Sequence, residues 1–161
     1  MTKVLFTYLF IAIVVMIICY SCIKRPNYPT TPTIEYKGFR AFSGDSADLQ
    51  ISFTDGNGDI GVGANDSTRT FWYTYYYKDS VNQPYTGYAY TNLTTNQRDT
   101  LRIGYVVRSP ADSYKGKPIS GEINIRLQQF RHLTEIKHVK YVFYLLDASG
   151  NKSNVVTSPE I

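Results

Sequence analysis

Two stretches of the chain, ADLQISFTD (residues 47–55) and GEINIRLQQF (121–130), place an apolar side chain at every second position: Leu49, Ile51 and Phe53 in one, Ile123, Ile125 and Leu127 in the other. A period of two is the signature of an extended strand with one face buried and one face wet. From Thr33 onward no segment sustains the i, i+3, i+4, i+7 spacing of an amphipathic helix. Short runs of Ile, Val, Thr, Tyr and Phe instead recur between clusters of Gly, Asp, Asn and Ser. The pattern predicts strands at 34–42, 47–54, 69–78, 84–91, 99–107, 119–129, 138–146 and 153–158, with one short helix near His132 to Lys137. The expected fold is all-β, an immunoglobulin- or fibronectin-like β-sandwich of seven to eight strands, because turn signals recur at the spacing of such sandwiches.

The start of the chain obeys a different rule. In MTKVLFTYLFIAIVVMIICYSC an almost unbroken apolar run, Val4 to Ile18, follows Lys3, as in a secretory signal peptide. Ser21-Cys22 closes the run, and a small residue directly before a cysteine resembles the lipobox of bacterial lipoproteins, in which that cysteine receives lipid. Cys19 fits less well, because bulky Ile18 precedes it. The alternative is an uncleaved membrane anchor, since the run approaches the roughly 20 apolar residues that span a bilayer. Lys24 and Arg25 favour that alternative by opposing export, and Cys19 stands where a lipobox usually has Leu. On either reading the N-terminus is tethered to a membrane. The expected organisation is a lipoprotein signal peptide at 1–21, a proline-rich tether at 22–33 and the sandwich at 34–161. Pro26, Pro29 and Pro32 recur every third residue, which favours an extended spacer of about 3.1 Å per residue, roughly 30 Å in all.

Composition excludes several function classes. The two cysteines of the chain, Cys19 and Cys22, both lie in the leader region, so the domain has no thiol for catalysis, zinc binding or a disulfide. The formal charge is +4, and the basic residues are scattered instead of gathered into a nucleic-acid footprint.

An export signal ending in Ser-Cys, an early ISFTDGNGDIG and a closing LLDASGNKSNVVTSPEI together resemble small lipoproteins of Bacteroidota. In these a strand runs into an Asp/Gly/Asn loop that opens an immunoglobulin-like domain, and a GNKSN turn precedes the last strand. The Asp147, Gly150, Asn151 turn is also similar to the final hairpin of bacterial immunoglobulin-like adhesin modules. The resemblance covers both ends of the domain and implies a fold and a compartment, the outer membrane, more strongly than an activity. The tripeptides at Asp45, Asp79 and Asp99 (DSA, DSV, DTL) match the O-glycosylation sequon of exported proteins in that phylum. They equally match ordinary turn starters.

The loop after the second predicted strand is the candidate metal site. Asp55, Asn57 and Asp59 alternate along a glycine-rich stretch, so a curled backbone can turn their oxygens onto one hard cation, calcium being the natural choice. Counted as an EF-hand loop from Asp55, Gly61 supplies the position-seven carbonyl, Val62 the packing residue and Asp66 the closing acid. Ile60 stands where that loop needs Gly, the closing acid is not Glu, and no helices flank it, so this is not an EF-hand. The competing reading is a turn whose Asp and Asn side chains cap their own backbone, with Ile60 in the core. Asp147 and Asn151 form a sparser turn of the same kind, read as a hairpin; whether it shares an ion with the first loop depends on topology.

FWYTYYYKD puts Phe71, Tyr73, Tyr75 and Tyr77 on one strand face and Trp72, Thr74 and Tyr76 on the other. The second face, joined by Tyr85, Tyr88 and Tyr90, is a candidate aromatic binding strip, with Trp72, Tyr76, Tyr85 and Tyr88 as its core members. Cross-strand tyrosine pairs that only stabilise a sheet are the competing reading. Catalytic candidates are thin. His132 and His138 flank Glu135 without an H-E-x-x-H spacing, and nothing links Glu35, Glu122 and Glu135 as a glycosidase pair. The expectation is a non-enzymatic, lipid-anchored binding module, an accessory subunit of an outer-membrane protein assembly on the periplasmic side. A glycan-binding surface lipoprotein is the alternative.

Overall fold

The computed structural model describes Val4, Phe6–Tyr8, Phe10, 26–42, 45–128 and 138–161. Cys19, Cys22, the signal region beyond Phe10 and the helix expected at His132 to Lys137 lie outside the described residues. Val4, Phe6–Tyr8 and Phe10 are helical, and among the described residues no helix is long and apolar enough to cross a membrane.

Among the described residues the domain has ten strands, eight in an all-β sandwich and β5 and β6 in a separate hairpin: β1 Thr33–Ala41, β2 Ser46–Asp55, β3 Phe71–Lys78, β4 Thr86–Gly87, β5 Ala89–Thr91, β6 Arg98–Thr100, β7 Arg102–Tyr105, β8 Ile119–Gln128, β9 His138–Leu145 and β10 Val156–Thr157. One sheet has the order β1-β2-β8; the other has β10-β9-β3, with β4 and β7 sharing the far edge of β3. All the strand pairs are antiparallel. This order is that of strands A-B-E facing G-F-C in immunoglobulin-like sandwiches.

The alternation in the sequence dictates which side chains meet between the sheets. Leu49 and Ile51 of β2, Leu127 of β8, Phe71 of β3 and Phe143 and Leu145 of β9 are fully buried, each such burial contributing about 1.5–3 kcal/mol. Tyr141 sits at the centre, with ring centroids 5.4 Å from Tyr73, 5.7 Å from Tyr75 and 5.6 Å from Phe39. Burial pushes the Tyr73 and Tyr141 hydroxyls well above the ordinary tyrosine range.

Two predicted strands are each divided. Residues 84–91 become β4 and β5, and 99–107 become β6 and β7. The break lies at Tyr88, which donates its N–H to the Tyr75 carbonyl, accepts that of Leu101 on its own, and turns its ring inward against Tyr75.

The last strand is short because side chains replace its ladder. The Ser153 hydroxyl accepts from the Leu145 N–H, and the Ser158 hydroxyl accepts from the Tyr141 N–H. Asn154 reaches across to β1, accepting from the Ile34 N–H at 2.8 Å and donating to the Ile34 carbonyl at 2.9 Å. The polar residues of GNKSNVVTS are thus the stitching that closes the sandwich.

Candidate functional site

Four segments meet at one pole of the sandwich. The chain leaves β2 at Asp55 and crosses to the opposite sheet through residues 56–70. Beside this crossing lie the last residues of the proline-rich stretch, the 107–118 connection, and the Asp147–Asn151 turn. Pro29 accepts the Gly56 N–H, the Asn57 carbonyl accepts that of Gly116, Val62 and Val107 are joined by a backbone bond, and the Asp59 carbonyl accepts the Ala148 N–H. Ile60 pairs with Asp147 and is buried in the core. The two acidic turns therefore share an end of the domain.

Close packing fixes the loop's shape. Gly58 has φ +67°, and a Cβ there would fall 2.2 Å from the Tyr114 carbonyl oxygen. Gly61 has φ +76° and lies against the backbone of Val107, Arg108 and Ser109. Only glycine accepts both conditions without strain.

Within this frame the carboxylates each divide their oxygens. Asp55, at 0% exposure, accepts the Asp59 N–H on Oδ2. Asp59 accepts the Ser149 hydroxyl on Oδ2 at 2.6 Å. The remaining oxygens, Asp55 Oδ1 and Asp59 Oδ1, are inaccessible to solvent and have no donor, and the same is true of Asn57 Oδ1. A buried acceptor left without a donor costs about 1–3 kcal/mol, so three of them within five residues are a concentrated destabilisation. Burial pushes the Asp55 carboxyl above the ordinary aspartate value, and the nearby charges of Asp59 and Asp147 add to the rise against the N–H groups of Asp59 and Gly58.

Asp147, 2% exposed, is a neighbour of another kind: Oδ1 accepts the Asn151 N–H and Oδ2 the Asn151 side-chain amide. Gly150, at φ +84°, closes this hairpin turn. Asp147 brings charge to the pole with both of its oxygens engaged.

Asp66 departs from the predicted ligand set. It is exposed, its Oδ1 accepts the Thr68 N–H and its carbonyl accepts the Arg108 guanidinium. Hydrogen bonding from Thr68 holds its carboxyl below the ordinary value. The twelve-residue count presumes a loop closed between two helices; here the chain turns outward at Gly63 and the closing acid never returns. Among the described residues no three His, Cys, Asp or Glu side chains form a metal group. A cation at this pole would rest on two carboxylates and one amide, with Gly61 shaping the loop.

The aromatic strip also needs one exchange. Trp72 and Tyr76 lie on the outer face of the five-stranded sheet, as the alternation requires. Tyr85 joins them there, its ring 4.8 Å from Lys78 Nζ and 4.5 Å from Lys140 Nζ, and its hydroxyl on Glu160. Tyr88 does not; it faces the core side, 6.1 Å from Tyr75 and 6.5 Å from Tyr77. Its place is taken by Tyr144, directly opposite Trp72 in the register and carrying Lys152 at 4.1 Å from its ring centre. The alternation of HVKYVFYL contained this residue. Tyr90 is exposed on the separate β5–β6 hairpin. The indole N–H of Trp72 is donated to the Arg69 carbonyl, and its ring lies over Gly104, where a Cβ would come within 2.9 Å of it.

Glu35 and Glu122 stand on the outer face of the three-stranded sheet on either side of Ser52, both exposed. His138 pairs with Glu160 on the other sheet, while His132 and Glu135 lie outside the described residues. Of the sequon positions, Ser80 lies in an exposed turn, Thr100 is exposed in β6, and Ser46 is half-buried at the start of β2. A cleft of about 640 Å³, lined by Phe53, Ile60, Tyr114, Lys117, Ile119 and Ile123, opens beside the loop where the inward face of β8 is only half covered. Segments far apart in sequence build it, so no local motif announces it. Compared with known protein families, with curated proteins and with solved structures, the chain matches none.

Proposed function

We propose that this chain is an envelope protein held to a membrane through lipid on Cys22, a periplasmic-side accessory subunit that works by docking an outer-membrane protein partner. The observation that supports this reading is the outer face of the five-stranded sheet, where half-exposed Trp72, Tyr76, Tyr85 and Tyr144 are interleaved with Lys78, Lys140 and Lys152. Rigid aromatic rings on a sheet supply contact area at low entropic cost, and the lysines favour a partner of acidic surface. The same lysines weigh against the glycan alternative. A sugar stacks on an open ring face, and here Tyr85 and Tyr144 already carry cations over theirs.

The test is co-purification of the full chain from native membranes beside a Lys140→Glu/Lys152→Glu variant of unchanged melting temperature. A stoichiometric protein partner captured by the parent and lost by the variant supports the reading. Equal capture by both would sink it. A glycan-array signal abolished by Trp72→Ala would move the conclusion to the alternative.

A further inference from the structure

We infer that the pole loop is a calcium site, in which Asp55 Oδ1, Asn57 Oδ1 and Asp59 Oδ1 bind one ion and the Asp147–Asn151 turn holds the loop closed around it. The three oxygens come from alternate residues, none meets solvent, and none has a hydrogen-bond donor. Asp55 is wholly buried with its second oxygen committed to the Asp59 N–H, so the unpartnered Oδ1 is the one left for a ligand.

Neither a water molecule nor the nearest ammonium group satisfies these oxygens. A water molecule carries two hydrogens and reaches at most two of three acceptors. Lys117, whose backbone abuts the loop, sends its ammonium to the Ser113 carbonyl. A hard cation suits oxygen ligands of mixed carboxylate and amide type, and backbone carbonyls and water commonly complete its shell.

The frame is already in place for such an ion. Ser149 holds the other oxygen of Asp59, Ala148 holds its carbonyl, and Gly116 holds the carbonyl of Asn57. Asp147 is bridged to Ile60 and its neighbour Ala148 bonds the Asp59 carbonyl, so its charge lies beside the loop, yet both of its oxygens are taken by Asn151. It is a positioning residue that adds negative potential. With three side-chain ligands from one loop, affinity falls in the range of extracellular modules, Kd on the order of 10⁻⁴ to 10⁻³ M. The site is separate from the aromatic face, so either assignment stands without the other.

The experiment uses the full chain in detergent, melted in EDTA, in 10 mM calcium and in 10 mM magnesium, with calorimetric titration of calcium. Calcium raises the melting temperature by about 5 °C over EDTA, and magnesium, which demands a tighter octahedron, raises it by less than half as much. Asn57→Ala is the decisive variant, because its Oδ1 serves no protein donor. It lowers calcium affinity about tenfold or more while leaving the melting temperature in EDTA unchanged or higher. Asp59→Asn, a second variant that keeps an oxygen for Ser149, likewise loses the calcium increment. No heat and no shift in the parent up to 10 mM calcium overturns the assignment, as does an equal shift in Asn57→Ala, which places the ion elsewhere. An equal response to magnesium overturns the choice of calcium.

Discussion

Replacing Asn154 with alanine tests the claim that side chains do the work of a missing strand. Ile34 is 1% exposed, and its N–H and carbonyl on the side away from β2 are met, among the described residues, by the two ends of the Asn154 amide. Alanine orphans both. Each buried polar group left unpaired costs about 1–3 kcal/mol, and the partial solvent access of this pair places the sum near the lower bound, about 2–3 kcal/mol. For a domain of this length 1 kcal/mol moves the melting temperature by about 3–5 °C, so a fall of roughly 6–15 °C is expected. Urea unfolding followed by tryptophan fluorescence measures the change, with the slope unaltered and the midpoint lowered. Val155→Ala is the matched control: Val155 is 54% exposed, and its truncation stays within about 0.5 kcal/mol. Asn154→Asp separates the two bonds, since it keeps the acceptor for the Ile34 N–H and turns a second oxygen toward the Ile34 carbonyl. It is expected to be at least as damaging as alanine. An Asn154→Ala midpoint indistinguishable from that of Val155→Ala would refute the stitching argument.

Two further predictions concern the pole and the C-terminus. Gly58→Ala combines a φ of +67° with a Cβ directed at the Tyr114 carbonyl, and loses more than about 2 kcal/mol in the same urea assay; a neutral result would mean the loop shifts freely. The Tyr85 hydroxyl, His138 and Lys78 together hold the Glu160 carboxyl down at about 2. A depressed carboxylate contributes stability above its unfolded value, near 4.3, and that contribution is lost as pH falls through about 2. Carbon-13 NMR of Glu160 should therefore titrate well below 4, and in Tyr85→Phe it should move back up toward the ordinary range.

What the sequence conveyed depended on how local the cause was. Leu49, Ile51 and Phe53, or Ile125 and Leu127, announce their strands because alternation is a property of neighbours in the chain, and the buried side matched. The region from 84 to 107 was less legible. Tyr88 turns inward to fill space beside Tyr75, and that space is created by residues of another strand. The alternating oxygens of Asp55, Asn57 and Asp59 could be read, but Asp66 could not be excluded. Counting to a twelfth position presumes a loop closed by helices, and Arg108, which holds Asp66 away, lies 42 residues further on. Asn154 was illegible for the same reason, with its partner Ile34 lying 120 residues distant.

The hydrogen bond from Gly56 to the Pro29 carbonyl, with Pro32 buried just behind it, fixes how the domain hangs. If the chain is held through Cys22, as proposed, the load enters the domain at Pro29, beside the acidic loop. The acidic loop is then the foot of the domain and not its tip. Any pull on the N-terminus loads that loop first, so whatever hardens the loop also sets how stiffly the module stands on its anchor.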